Sequence, residues 1–458
     1  MTMTLTDEGF MTMASFYESE LSKSLLVLAM AGTLAACGGG SGSSSDSDHD
    51  DDDHSEEEHA GGRLIYSVSD DSGLNMYDQT VESDDAYSTD VIATSTSGST
   101  LVLAKSGLTA ALLDGGAVSI VDSGLEHLVD EDGHTHDVSS AATTLTSGIT
   151  TVITTHEYFS AYDGSTSTVL NAEDGAVVTT WTSVDYPTLA LAGGHYLTFT
   201  DIDGSITIEV KEADGESLTA PVSATCNGDI TATAQTEHLT QILCSNDSLL
   251  SVIAAEGETD TSFTITTDTS TTVADLTNLT ATFSTYDVIA GWSTEANKLV
   301  LSKAHSDHVD TADISSELVA DGIITVAAPS SDESEALGVL GTSGRFLALF
   351  YHAEGEELTI EGSSKFDLDT SISWSASDLL LADSEAFIAV NLAGNTLFFI
   401  DGHDGESYHL HSSAEGSSDL SALASAVLAH AQDDHDHDED HDDEHDHDEE
   451  DGESDHDH

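Results

Sequence analysis

An all-β fold, a β-propeller of eight four-stranded blades, is what this chain predicts, and three observations carry that expectation. Short runs rich in Val, Ile, Leu and Thr recur along its middle. Tight turns bearing Gly, Asp or Asn separate them, as in Asp163-Gly164, Asp203-Gly204 and Asn246-Asp247. Equivalent runs also return at a near-constant interval. Second strands placed near Leu64, Ala111, Tyr158, Leu197, Gln241, Leu299, Phe346 and Phe387 are spaced by 47, 47, 39, 44, 58, 47 and 41 residues. Branched and aromatic side chains suit a pleated, half-buried surface, and a period in the forties made of short strands is the propeller signature. If one hairpin is an insertion, the count falls to seven. Two packed β-sandwiches are the competing fold, but they need no such regular spacing.

Taken in order, residues 1–36 read as an export signal. The apolar run Leu25 to Thr33 precedes Leu34-Ala35-Ala36-Cys37, which resembles the bacterial lipobox. Cys37 would then carry lipid, and residues 37–62 would form a flexible acidic and His-bearing tether. Gly38 after the cysteine points to a periplasmic lipoprotein anchored at the outer membrane, with lipid as the sole membrane contact. Within Asp46 to His59 there are nine acids and three histidines, His49, His54 and His59. Such a segment has too little apolar surface to offset the entropy of ordering, so disorder is expected.

Residues 63–417 are expected to be the propeller. Cys226 and Cys244 remain after lipidation, and an even pair in an exported chain predicts one disulfide between neighbouring strands. Residues 418–432, rich in Ala and Leu, read as a short helix or linker. Residues 433–458 hold seventeen acids and seven histidines: His435, His437, His441, His445, His447, His456 and His458. A merely solubilising tail has no use for so much imidazole, so capture of metal ions is the better reading.

The whole chain has 87 acidic and 8 basic side chains and a net charge of -79. That charge repels nucleic acid and anionic membrane surfaces and attracts cations. Metal-protease helices, nucleophile elbows, P-loops and dinucleotide fingerprints do not occur, so no enzymatic activity is expected.

Metal ligands are then sought on the blades. Strands alternate in direction within a blade, so turns after the first and third strands leave on one face. His134 and His136 lie in Asp130-Glu131-Asp132-Gly133-His134-Thr135-His136-Asp137, after a third strand; in an extended loop their rings fall on one side. His156 and His195 each follow a first strand, in adjacent blades. These four imidazoles share a rim and can make a four-coordinate zinc site, although His156 and His195 could also be plain turn residues. His238, one blade on, is a secondary candidate, as are His403, His409 and His411 near the last blade. His305, His308 and His352 are assigned to the opposite face, as solvated turns. Asp201-Ile202-Asp203-Gly204 lacks the spacing of a calcium loop and reads as a hairpin turn.

With these residues in hand, the chain resembles the β-propeller zinc metallochaperones of the AztD type. The resemblance covers the repeats, the His134-Thr135-His136 loop and the tail composition. It implies zinc at His134, His136, His156 and His195, with ions captured by the tails and passed on to the solute-binding protein of a zinc ABC importer. Ni2+, Cu2+ and Co2+ suit the same ligands. Two departures stand out: the lipobox would tether this chain, and its longest His/Asp tail is C-terminal. The alternative function is a surface-anchored propeller that binds a protein or glycan, with acidic tails for solubility.

Overall fold

Middle strands of this chain are buried along most of their length, whereas outer strands alternate between exposed and covered positions. Leu239–Cys244 and Ala336–Gly341 are buried throughout, while Thr359–Asp367 alternates exposed and half-buried along its whole length. A strand pressed between two neighbouring sheets has no wet face, and a strand at a sheet's outer edge keeps one. A ring of stacked sheets satisfies both patterns.

The structure is a computed structural model. It describes residues 62–69, 73–78, 99–125, 139–140, 144–145, 147–155, 157–215, 217–218, 222–254, 262–281, 288–305, 308–318, 322–328, 336–352, 358–382, 386–403, 407–416 and 420–429. All of them belong to the unit Glu58–His458. The chain enters by β1 (Arg63–Val68) and β2 (Leu74–Asp78). Blade one is β3 (Thr100–Leu103), β4 (Thr109–Asp114), β5 (Ala117–Asp122) and β6 (Ser139–Ser140). Blade two is β7 (Thr151–Thr155), β8 (Tyr158–Tyr162), β9 (Thr166–Asn171) and β10 (Val177–Thr182). Blade three is β11 (Leu189–Leu191), β12 (His195–Ile202), β13 (Ser205–Glu212) and β14 (Ser223–Cys226). Blade four is β15 (Ile230–Gln235), β16 (Leu239–Cys244), β17 (Leu249–Ala254) and β18 (Phe263–Asp268). Blade five is β19 (Asn278–Ala281), β20 (Val288–Ser293), β21 (Lys298–Ala304) and β22 (Val309–Asp313). Blade six is β23 (Ile323–Ala327), β24 (Ala336–Gly341), β25 (Arg345–His352) and β26 (Thr359–Asp367). Blade seven is β27 (Leu379–Ala382), β28 (Ala386–Asn391), β29 (Thr396–His403) and β30 (Ser407–Glu415).

The last strand, β31 (Leu423–Ala429), pairs back onto β1 in the order β2-β1-β31 and makes blade eight. Seven sheets have four antiparallel strands, and this closing sheet has three among the described residues. Helix among the described residues is limited to three short 3-10 turns, Ala192–Gly194, Ser315–Glu317 and Leu420–Ala422. The eight-bladed propeller is therefore the fold.

Two expectations need correction. Residues 418–432 were expected to be a helix or linker, but Leu423–Ala429 is a strand. Local Ala and Leu content favours helix, yet propensity is a weak prior; pairing with β1, Arg63 opposite Ala429 and Leu64 opposite Leu428, decides the outcome. Leu299 and Phe346 were expected to open second strands, but they lie in β21 and β25, the third strands of blades five and six. The 58-residue step in the sequence spacing is where that frame slipped by one strand.

The first strands β3, β7, β11, β15, β19, β23, β27 and β31 line the channel, and several adjacent blades meet through them, as β3 does with β31, β15 with β19 and β23 with β27. Their C-terminal ends surround a cavity of about 280 Å³ lined by Leu103, Lys105, Thr154, Gln235, Ala281 and Ala328, among others. Turns after first and third strands leave on this face. The hairpin turn at Asp203 (φ 56°) and Gly204 (φ 82°) lies on the other face and is no cation loop: Asp201 Oδ1 accepts from the Gly204 amide at 2.8 Å.

Cys226 and Cys244 form a disulfide. It joins β14 of blade three to β16 of blade four, so it staples two blades rather than two paired strands. Both cysteines sit in the core cluster between these blades with Leu197, Phe199, Ile242 and Val252.

Candidate metal centre

Of the four histidines expected to share a site, only His195 lies among the described residues; His134, His136 and His156 lie outside them. His195 opens β12, after the 3-10 turn that ends blade three's first strand. It is 6% exposed, and its ring meets Phe263 of blade four edge-on, with centroids 5.1 Å apart. Nδ1 lies 3.3 Å from the Ala192 carbonyl oxygen. A carbonyl only accepts, so this contact selects the Nδ1–H tautomer and leaves the lone pair on Nε2. A ligating imidazole is held the same way, its other ring N–H donated to a carbonyl or carboxylate oxygen.

Thr155, the residue before His156, is held across three blades. Its Oγ1 accepts from the Ala190 amide at 2.6 Å and meets Gln235 Oε1 at 3.0 Å, while Gln235 Nε2 donates to the Ala190 carbonyl at 2.6 Å. These bonds fix the ends of β7, β11 and β15 at the mouth of the channel. His238 follows β15 on the same face and is half-buried; its carbonyl accepts from the Ala254 amide at 2.8 Å.

Among the described residues, one group of three metal-donor side chains converges: His305, His308 and Asp310. Their placement corrects the expectation that His305, His308 and His352 lie on the far face. His305 and His308 occupy the turn between β21 and β22, and His352 ends β25, so all three follow third strands and share the face of His195 and His238. The one-strand slip at Leu299 and Phe346 inverted their side. Arg345, which opens β25 at the far end of that strand from His352, binds Asp367 Oδ1 through Nε at 2.6 Å.

The local ladder builds this group. Lys303 stands opposite Asp310 and Ala304 opposite Val309, and the His305 amide donates to the His308 carbonyl at 2.8 Å, carrying the ladder one pair further. Residues directly opposed on antiparallel strands project to the same side, and so do residues two apart on one strand. His305, His308 and Asp310 therefore meet. The two rings stack with centroids 4.5 Å apart and planes 9° from parallel. His305 Nε2 is 3.2 Å from Asp310 Oδ2, and His308 Nε2 is 3.9 Å from Asp310 Oδ1. His305 is mostly covered, with 13% of its side chain exposed, while His308 and Asp310 are open at 51% and 45%. The sequence signal was the His-x-x-His spacing followed two residues later by Asp.

The secondary candidates do not form such a group among the described residues. His403 ends β29 opposite Ser407. His409 and His411 are exposed along β30, the outermost strand of blade seven, which runs away from that turn; His409 faces Asp401 across the ladder. The tail histidines, His49, His54, His59, His435, His437, His441, His445, His447, His456 and His458, lie outside the described residues, as does Cys37.

No protein-family model matches this chain, and no curated protein matches it in sequence. In fold it is similar to AztD from Citrobacter koseri. The structure of apo AztD aligns with a TM-score of 0.58 at 14% identity, over 81% of this chain and 99% of that one. A crystal structure of Citrobacter koseri AztD gives 0.55 at 13% identity over the same shares. At these identities the likeness is one of fold.

Proposed function

We propose that this chain is an exported carrier or buffer of zinc-class ions. In this reading it is tethered through lipidated Cys37, collects ions on its His- and Asp-rich ends, and holds them on the histidine-bearing face of the propeller. Its partner would be the solute-binding protein of a zinc ABC importer. One observation carries the reading: turns from blades three to seven bring His195, His238, His305, His308, His352 and His403 to a single face. His134, His136 and His156 follow the third strand of blade one and the first of blade two, whose ends point the same way. The fold likeness to AztD supports this reading.

The closing ladder adds a route for exchange. Arg63 pairs with Ala429, so residues 37–62 and 430–458 attach side by side, where the first strands end. Ligands tethered beside a site act at high effective concentration. Imidazole binds metal only when deprotonated, so uptake weakens as pH falls below about 6.5.

Competition of the full chain against a zinc chelator tests the proposal. A tight equivalent is expected, and His134→Ala with His136→Ala and His195→Ala should remove it. A chain that never competes with a chelator of micromolar affinity, yet retains a protein or glycan partner, would instead be a binding module with acidic ends.

A further inference from the structure

The geometry points to a separate, exchange-labile site for a borderline divalent cation (Zn2+ and its neighbours) at His305, His308 and Asp310, built wholly within one hairpin of blade five. It does not depend on the His134, His136, His156 and His195 cluster or on the terminal segments. Its three donors lie within a six-residue stretch, held by a single ladder and one backbone hydrogen bond.

The distances carry the assignment. Zinc holds imidazole nitrogen and carboxylate oxygen at about 2.0–2.2 Å. Two such arms at a tetrahedral angle put their donor atoms roughly 3.3–3.6 Å apart. His305 Nε2 and Asp310 Oδ2 stand 3.2 Å apart, close to that edge. Yet Nε2 is sealed from solvent and makes no aligned hydrogen bond among the described residues. A ring nitrogen's lone pair and a carboxylate oxygen this close repel unless a proton or a cation is shared between them. Since a ring proton would not point at the oxygen, an ion off the line joining them fits better. His308 is the more open arm. It is half exposed, and the three donor atoms already lie within 4.8 Å of one another, so a ring rotation closes the group.

Donor chemistry sets the class and the strength. Two imidazoles and one carboxylate favour Zn2+, Co2+, Ni2+ or Cu2+ over Ca2+ and Mg2+, which take all-oxygen shells. Three protein donors leave a fourth position to water or to an incoming ligand, which marks a site for exchange rather than storage. Lys303, directly opposite Asp310 and 6% exposed, adds a like charge that weakens retention.

The test needs a readout at this site within the full chain. Diethyl pyrocarbonate labels free imidazole nitrogen, and peptide mass spectrometry reads each histidine separately. At a zinc chloride concentration about ten times Kd, labelling of His308 should slow about tenfold, following the unoccupied fraction. Magnesium chloride should leave it unchanged. Asp310→Asn and His305→Ala should each abolish the protection of His308 while other histidines remain protected. His308 labelled at the same rate with and without zinc overturns the inference in the unaltered protein, whatever the variants do. Protection of His134 and His136 in that same experiment would leave the carrier function standing, so the two failures are distinguishable.

Discussion

Gly338, in the second strand of blade six, shows how closely neighbouring sheets approach. A Cβ there would meet the Phe387 ring of blade seven at Cδ1 within 2.8 Å. That ring sits in an aromatic cluster, with centroids 5.2 Å from both Phe346 and Tyr408. Gly338→Ala adds volume where neither side can give, and it should cost about 1–3 kcal/mol, read as a lower urea midpoint. His305 and His195 teach a different lesson at this scale. Both are enclosed imidazoles whose chain position was plain in the sequence, but what each ring touches was not. Phe263, which covers His195, is an inter-blade neighbour far along the chain, and no spacing rule announces it.

Strands are the scale at which the sequence was most informative and most misleading. Alternation, turn residues and a forty-odd interval were enough to predict the ring. The strand index inside blades five and six was not, because second and third strands are equally apolar. Leu299 and Phe346 look like members of either, since both are fully buried between neighbouring sheets. That ambiguity moved His305, His308 and His352 to the wrong face and hid the one donor group the described residues bring together. The closing strand misled for another reason: Leu423–Ala429 has helical composition, and only its distant partner Arg63–Val68 makes it a strand. Leu428 is 2% exposed and packs in a cluster with Tyr66 and Val390. Leu428→Ala should cost about 2–5 kcal/mol, measured by urea denaturation. Because the mutation loosens the seam of the ring, the unfolding transition should also broaden.

For the whole molecule, charge is the governing quantity. A net charge of -79 repels itself, and the Debye length is about 8 Å at physiological salt. Thermal stability should therefore rise with sodium chloride and rise further as mild acid discharges exposed carboxylates. A second effect of opposite sign follows at lower pH. Backbone amides of Thr166 and Ser165 hold the Asp163 carboxyl below its usual range. The Ser371 hydroxyl and amide do the same for Asp369. At Asp313 burial pushes the value up, but the Ser315 hydroxyl and amide with Lys298 outweigh it. Groups whose folded pKa is depressed add stability above the ordinary carboxylate value of 3.8, and that stability is lost as pH falls through the lower folded value. Melting temperature against pH should accordingly climb from neutrality toward the pI near 4.1 and drop below it.

The Arg63–Ala429 seam has one more implication. Where a ring's start and finish abut, the backbone could be spliced there and reopened in a far-side turn, such as the one at Asp203 and Gly204, without rethreading any sheet. The scaffold is thus indifferent to where its polymer is cut. The acidic arms are not, for the point at which each leaves the ring is set by this particular choice of break.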